Sequence, residues 1–271
     1  MTFRTLDQAQ LAAKRALVRV DFNVPVKEGE VADDARLRCA LPTINALRRA
    51  GAKTTLISHF GRPKGKSIAS MSLRPVAAPL AKLLGAPVAF AEDCVGPTAK
   101  AAVDAMKPGE VLLLENLRFH PGEEANDPNF ARALAANGDL YIDDAFSAAH
   151  RAHASTVGVA RLLPAFAGED MRRELQALQA ALDHPAHPVL GIVGGSKVST
   201  KLDMLLNLIL KLDRLAIGGG MANTFLFAQG WDVADSFCEK DLADTARDIM
   251  AFAEKHNCEL LHWTSPSFLC R

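Results

Sequence analysis

From Leu17 to Pro25 the chain reads Leu-Val-Arg-Val-Asp-Phe-Asn-Val-Pro, so that Val18, Val20, Phe22 and Val24 alternate with Arg19, Asp21 and Asn23. A period of two predicts a strand over 17–24, and Pro25 removes the next ladder donor. Side chains two apart on a strand point the same way, which puts the Asp21 carboxylate and the Asn23 amide together at the strand's end. That pairing suits a polar ligand; a half-buried strand with a wet face is the alternative.

Further β-rich runs recur at Thr54 to Ser58, Pro87 to Phe90, Val111 to Leu114 and Leu140 to Ile142, with helical patterns between them. Ser72 can cap a helix running to Gly85, and Asp127-Pro128 supplies an N-cap and first-turn proline for Asn129 to Ala136. Alternation of strand and helix predicts an α/β fold with a parallel sheet. From Met171 the pattern becomes one amphipathic helix, with Leu175, Leu178 and Leu182 at helical spacing, ended by Asp183-His184-Pro185. Strands then resume at Val189 to Val193 and Leu215 to Ile217. The expectation is two Rossmann-like parallel-sheet, three-layer domains, residues 1–168 and 186–271, joined by a helix over 169–185. The second has about 85 residues, short for a doubly wound fold, and is read as truncated.

Composition narrows the classes. At 271 residues with 49% hydrophobic and 23% charged content, the chain is an ordinary globular one. Its 31 Lys and Arg balance 31 Asp and Glu, so no global field attracts nucleic acid. The absence of a signal-like start and of long apolar runs predicts a cytoplasmic protein with no membrane partner. The five cysteines are scattered, odd in number and without a Cys-x-x-Cys pair, so neither a disulfide scaffold nor a zinc site is expected.

The chemistry collects after the strands. His59-Phe-Gly-Arg62-Pro-Lys64, Glu115-Asn-Leu-Arg118-Phe-His120 and Asp143-Asp144 with His150-Arg151-Ala-His153 each follow a carboxyl end. In open parallel sheets that edge is the ligand crevice, so these loops are expected beside Asp21 and Asn23, with Arg36 joining them. Guanidiniums gathered in one crevice repel one another unless an anion is present, which predicts a small, highly charged anionic ligand. Further on, Gly194-Gly195-Ser196-Lys197-Val-Ser-Thr-Lys201 precedes a helix, and Gly218-Gly219-Gly220 ends the next strand. Glycines, free amides at a helix start and two lysines at i and i+4 predict a phosphate cradle. A basic helix face and a close strand-to-helix turn are the plain alternatives. His150 and His153 near Asp143 and Asp144 suggest a metal hydrolase, but Arg151 between them opposes a cation. Ser147 lacks a Gly-x-Ser-x-Gly elbow, so no metal and no catalytic triad is expected.

In order, Arg19-Val-Asp-Phe-Asn-Val-Pro25, Ser58-His-Phe-Gly-Arg-Pro63, Glu115-Asn-Leu-Arg-Phe119, His150-Arg-Ala-His-Ala-Ser155, Gly194-Gly-Ser-Lys-Val198 and Gly218-Gly-Gly-Met-Ala-Asn223 closely resemble the phosphoglycerate kinase family, through about Glu259. The resemblance implies a cytoplasmic, monomeric, hinge-bending enzyme of glycolysis that moves a phosphoryl group reversibly between 1,3-bisphosphoglycerate and ADP, giving 3-phosphoglycerate and ATP, with Mg²⁺ on the nucleotide. It implies that Asp21, Asn23, Arg36, His59, Arg62, Arg118 and Arg151 hold 3-phosphoglycerate. Lys197 and Lys201 would take the nucleotide phosphates, Gly195, Gly218 and Gly219 the adenosine, and Arg36 and Lys201 would be the catalytic cations.

The family's Gly-Pro-x-Gly-x-Phe-Glu and Gly-Gly-Gly-Asp-Thr segments and its returning C-terminal segment are not in this chain. Residues 262–271, His-Trp-Thr-Ser-Pro-Ser-Phe-Leu-Cys-Arg, depart from the family pattern, and a frameshift or premature stop is the expected origin. The alternative to an active kinase is a catalytically crippled remnant that only binds 3-phosphoglycerate. Exposed sheet edges would then favour poor solubility or chaperone association.

Overall fold

A computed structural model describes residues 3–182 and 185–262. Of the expected tail 262–271, His262 is described and ends a strand, while the rest, like the Asp183-His184 end of the connecting helix, lies outside the described residues. The chain divides into two compact units, Met1–Ala177 and Leu178–Arg271.

The first unit runs β1 (Arg15–Arg19), β2 (Val26–Lys27), β3 (Glu30–Val31), α1 (Ala35–Arg49), β4 (Lys53–Ile57), α2 (Arg74–Leu84), β5 (Val88–Ala91), α3 (Gly96–Asp104), β6 (Val111–Leu114), α4 (Pro121–Glu124), α5 (Pro128–Ala135), β7 (Leu140–Asp143) and β8 (Ala165–Ala167), and α6 (Glu169–Leu182) carries the chain out of it. Six strands form one parallel sheet in the order β5-β6-β4-β1-β7-β8, and β2 and β3 form a small antiparallel hairpin. Alternate residues feed opposite cores. Ala16, Val18 and Leu56 meet Ile44, Leu47, Val76 and Leu80 of α1 and α2, while Leu17, Ile57 and Leu112 meet Val103 of α3 and Phe130 and Leu134 of α5. Both sheet faces are therefore dry, the normal condition of a parallel sheet. The wet-face alternative fails at Arg19, which is 1% exposed.

The expected strand over 17–24 is corrected at its far end: β1 stops at Arg19. Val20 still donates to the Ile57 carbonyl, but Phe22 donates to the Ser58 hydroxyl and Asn23 donates to the Asp21 carboxylate, a side-chain turn that replaces the ladder ahead of Pro25. Ser72 falls one residue outside its expected capping place: the N-cap position of α2 is Leu73, and the Ser72 hydroxyl accepts from the Arg74 amide. Two other helix signals act as expected. Asp127 accepts from the amides of Asn129 and Phe130, and Gly85 ends α2 in the left-handed conformation at φ 60°.

The second unit runs β9 (Leu190–Gly194), α7 (Leu202–Ile209), β10 (Arg214–Gly218), α8 (Gly220–Ala228), α9 (Ala243–Lys255) and β11 (Glu259–His262). Its three strands are parallel in the order β11-β10-β9, over a core of Val193, Leu205, Leu215, Ile217, Phe225 and Ile249. Among the described residues β9 has one neighbour, and Ile192 on it is 77% exposed. No described helix is long and apolar enough to cross a membrane.

Candidate functional site

The loops leaving β1, β4, β6 and β7 meet at the carboxyl edge of the first sheet. Asp21 is its hinge pin: Oδ2 accepts from Arg36 Nη1 at 2.7 Å and from the Ser147 hydroxyl at 2.5 Å, while Oδ1 accepts from the Asn23 amide. Burial opposes the charge on Asp21, but the Ser147 and Asn23 hydrogen bonds, with His59 and Arg36 nearby, hold its carboxyl below the usual range. Asn23 Oδ1 accepts from the Gly61 amide at 2.9 Å, tying the first loop to the second. Asp21 and Asn23 thus meet through a turn and its neighbours rather than along one strand face.

Cations crowd the same edge. Arg118 is 5% exposed; its Nη1 donates to the Gly61 carbonyl at 2.7 Å, and its Nε lies 3.2 Å from Glu124 Oε1 without hydrogen-bond geometry. Burial lowers its pKa, Glu124 works against that, and the charges of Arg151 and Arg19 add to the lowering. His59 is pushed down to about 3, first by burial and then by Arg19 and Arg118, so it is neutral at physiological pH. Asn116 braces the loops by accepting from the Phe60 and Arg118 amides and donating to the Phe60 and Met71 carbonyls. Arg62 is exposed on the loop after β4, and Arg151 sits half-buried on the loop after β7, its Nε donating to His150 at 3.3 Å.

Beneath these side chains lies a network that strand patterning does not announce. Arg19 Nε donates to Ser155 Oγ, Nη1 to the Val20 carbonyl, and Nη2 lies 3.0 Å from His59 Nδ1. Ser155 in turn donates through its hydroxyl and its amide to Glu123, a carboxylate with no exposed surface. Burial disfavours charge on Glu123, yet His153, Arg19 and Ser155 outweigh it and keep the carboxyl below its usual range. Glu115 plays a similar bracing part, accepting from the Ser72 hydroxyl and the Leu73 and Asn116 amides.

The alternative hydrolase groups are otherwise engaged. His153 Nδ1 lies 3.5 Å from Glu123 Oε1, Ser147 serves Asp21, and Asp144 Oδ1 accepts from the Asp170 and Met171 amides at the start of α6.

In the second unit the expected cradle takes a different form. α7 starts at Leu202, so Lys197 and Lys201 do not share a helix face; Lys197 is in the irregular segment after β9, and Lys201 occupies the N-cap position. The amides expected to await an anion already have one: Glu239 accepts from the Val198 amide at 2.6 Å, the Ser199 amide at 3.2 Å and the Ser199 hydroxyl at 2.6 Å. Lys201 Nζ donates to the Gly194 carbonyl at 2.9 Å. The glycines bring two strand ends together: a Cβ on Gly195 would lie 3.3 Å from Lys201 Cε, and one on Gly219 would lie 2.9 Å from the Gly195 carbonyl oxygen. Gly218 closes β10 opposite Gly194, with open space where a Cβ would stand.

A sequence model of the phosphoglycerate kinase family matches residues 6–264. The chain is 70% identical over 261 residues to the phosphoglycerate kinase of Caulobacter vibrioides and 62% identical to that of Brucella melitensis, covering 96% of this chain and 66% of each relative. It therefore spans just under two thirds of the length of these relatives. Among solved structures, phosphoglycerate kinase from Coxiella burnetii superposes with a TM-score of 0.86 at 40% identity, covering 96% of this chain and 66% of that one. The enzyme from Pyrococcus horikoshii gives 0.76 at 31% identity, with 96% and 67% covered.

Proposed function

The chain belongs to the phosphoglycerate kinase family, and from this we propose that it performs the phosphoryl transfer of glycolysis, binding 3-phosphoglycerate or 1,3-bisphosphoglycerate on its first unit and ATP or ADP with Mg²⁺ on its second. The observation that carries the acid-substrate half is the buried Arg118 guanidinium, whose charge is disfavoured by burial and by Arg19 and Arg151 around it. Cations held together at such cost are stabilised when an anion arrives.

In this reading Arg62, Arg118 and Arg151 take the phosphate and carboxylate oxygens, with His59 as a neutral hydrogen-bonding partner. Asp21, fixed by Ser147 and Arg36, and Asn23 meet the substrate's hydroxyl. Phosphoryl transfer calls for in-line positioning and positive charge around the equatorial oxygens rather than a covalent nucleophile. Arg36 and Lys201 are the cations proposed for that charge. Each would have to exchange a present partner, Asp21 and the Gly194 carbonyl respectively, for the transferring group. Lys197 would meet the nucleotide phosphates, and Gly195, Gly218 and Gly219 would let the adenosine lie against backbone. The amides of Val198 and Ser199 contribute only if Glu239 withdraws.

Calorimetric titration with 3-phosphoglycerate and a coupled assay with MgATP test the two halves separately. Saturable binding that Arg118→Ala weakens supports the acid site, and no binding by the folded chain overturns it. Turnover supports the transfer; binding without turnover rejects the transfer and leaves a 3-phosphoglycerate-binding protein.

A further inference from the structure

Asp93, Cys94 and His120 meet on the sheet's far side from α1 and α2, and none of them enters the proposed reaction. Asp93 and Cys94 follow β5, while His120 follows β6 and precedes α4. One ligand-capable atom from each, a carboxylate oxygen, the Cys94 Sγ and a ring nitrogen, lie within 4.8 Å of one another. We propose that this trio is a binding site for one borderline-soft divalent cation of the zinc class, independent of the Mg²⁺ that accompanies nucleotide.

The donor set carries the choice of ion. Thiolate, imidazole and carboxylate together suit Zn²⁺ or Co²⁺, whereas Mg²⁺ and Ca²⁺ prefer oxygen alone. Bonds of about 2.0–2.3 Å set tetrahedral donors roughly 3.3–3.7 Å apart. The trio, within 4.8 Å of one another, would therefore draw in overall while Asp93 Oδ1 and His120 Nε2, now 2.8 Å apart, open slightly. The surroundings leave little else to arrange. Asp93 Oδ1 accepts from the Cys94 amide at 2.7 Å and the Val95 amide at 3.3 Å, which fixes the carboxylate. Asn137 donates to the Cys94 carbonyl at 3.0 Å, which holds that backbone, and the Phe130 ring stacks on His120 at 5.1 Å, which holds the imidazole. Asp93 and His120 keep side-chain exposures of 40% and 32%, so an ion can enter from their side and retain water as a fourth ligand.

Binding carries a defined proton balance. His120 Nε2 lies 2.8 Å from Asp93 Oδ1, so coordination through Nε2 exchanges that contact for the metal and leaves any ring proton on Nδ1. Cys94 is fully buried, and burial, followed by the charges of Asp93 and Glu123, keeps its thiol protonated. The metal–sulfur bond forms as the S–H proton passes to solvent, so affinity rises with pH.

The test is titration of the full chain with Co²⁺ in excess Mg²⁺. One equivalent should produce a thiolate-to-cobalt absorption band, release at least one proton, and be displaced by one equivalent of Zn²⁺. Cys94→Ser should abolish the band, and His120→Asn, a change at a half-exposed position, should weaken binding about tenfold or more. Cys39→Ser, at an exposed cysteine, should change neither. No band in the wild-type chain, or a band of unchanged affinity in folded His120→Asn, overturns the site, and that arm decides even if Cys94→Ser fails to fold.

Discussion

The Arg19 guanidinium lies 3.0 Å from His59 Nδ1 with almost none of its surface exposed. Burial first, and then this permanent cation beside it, hold His59 neutral. Arg19 also offsets the buried charge of Glu123. Replacing it with Met should therefore do two things. The His59 pKa should rise from about 3 towards the ordinary histidine range, as read by NMR titration of its ring protons. Stability should fall by about 3–5 kcal/mol in denaturant unfolding, because Glu123 is left buried without its counter-charge. An unmoved His59 titration would show that burial alone sets its protonation.

Arg118 should be the residue whose loss most weakens 3-phosphoglycerate binding. Arg118→Ala is expected to reduce affinity about 10–100-fold, the cost of a charge-assisted hydrogen bond in a desolvated place. Arg118→Lys should recover little of it, since an ammonium cannot hold the Gly61 carbonyl and grip an anion in one plane. Calorimetry at two ionic strengths checks both, and full recovery by lysine would reduce Arg118 to a source of charge.

What the sequence revealed depended on how local the cause was. Val111–Leu114 reads as a buried strand because four adjacent apolar residues feed two dry faces, and β6 has those bounds. The apolar alternation at Leu17–Val24 outlasts the strand, because a turn made by Asp21 and a hydroxyl from Ser58 take over the backbone amides after Arg19. Arg19, Ser155 and Glu123 come from three distant segments, so no spacing rule finds them. The same holds for Glu239, which lies 41 residues beyond Val198 yet holds its amide. Lys197 and Lys201 have helical spacing, but the helix begins only at Leu202, five residues after Lys197.

Asp144 predicts a pH dependence of folding. Burial raises its pKa to about 7, against the hydrogen bonds from Thr43 and from the Met171 and Asp170 amides. The folded chain then holds a proton that the unfolded chain gives up near pH 4. Stability from this group is full below that point and is lost as pH rises through about 7. Asp144→Asn keeps an oxygen for the α6 amides and cannot ionise. It should flatten the decline between about pH 4 and 7 and gain on the order of 3 kcal/mol relative to wild type at pH 8. Urea unfolding across that range checks it; parallel curves for the two proteins would sink the assignment.

Gly218 and Gly219 should separate stability from nucleotide binding in the second unit. Gly219 has φ 68° and ψ −159°, a region essentially confined to glycine, and a Cβ there would press on the Gly195 carbonyl at 2.9 Å. Gly219→Ala should cost about 1–3 kcal/mol, seen as lost amide-exchange protection in β9 and β10. Gly218 sits in the strand with nothing within 4 Å of an added Cβ, so Gly218→Ala should leave that protection nearly unchanged. If adenosine lies against Gly218 as proposed, the methyl fills that open space and weakens ATP binding in a well-folded protein. Undiminished ATP affinity in Gly218→Ala would move the nucleotide away from this glycine turn, whatever Gly219→Ala does to the fold.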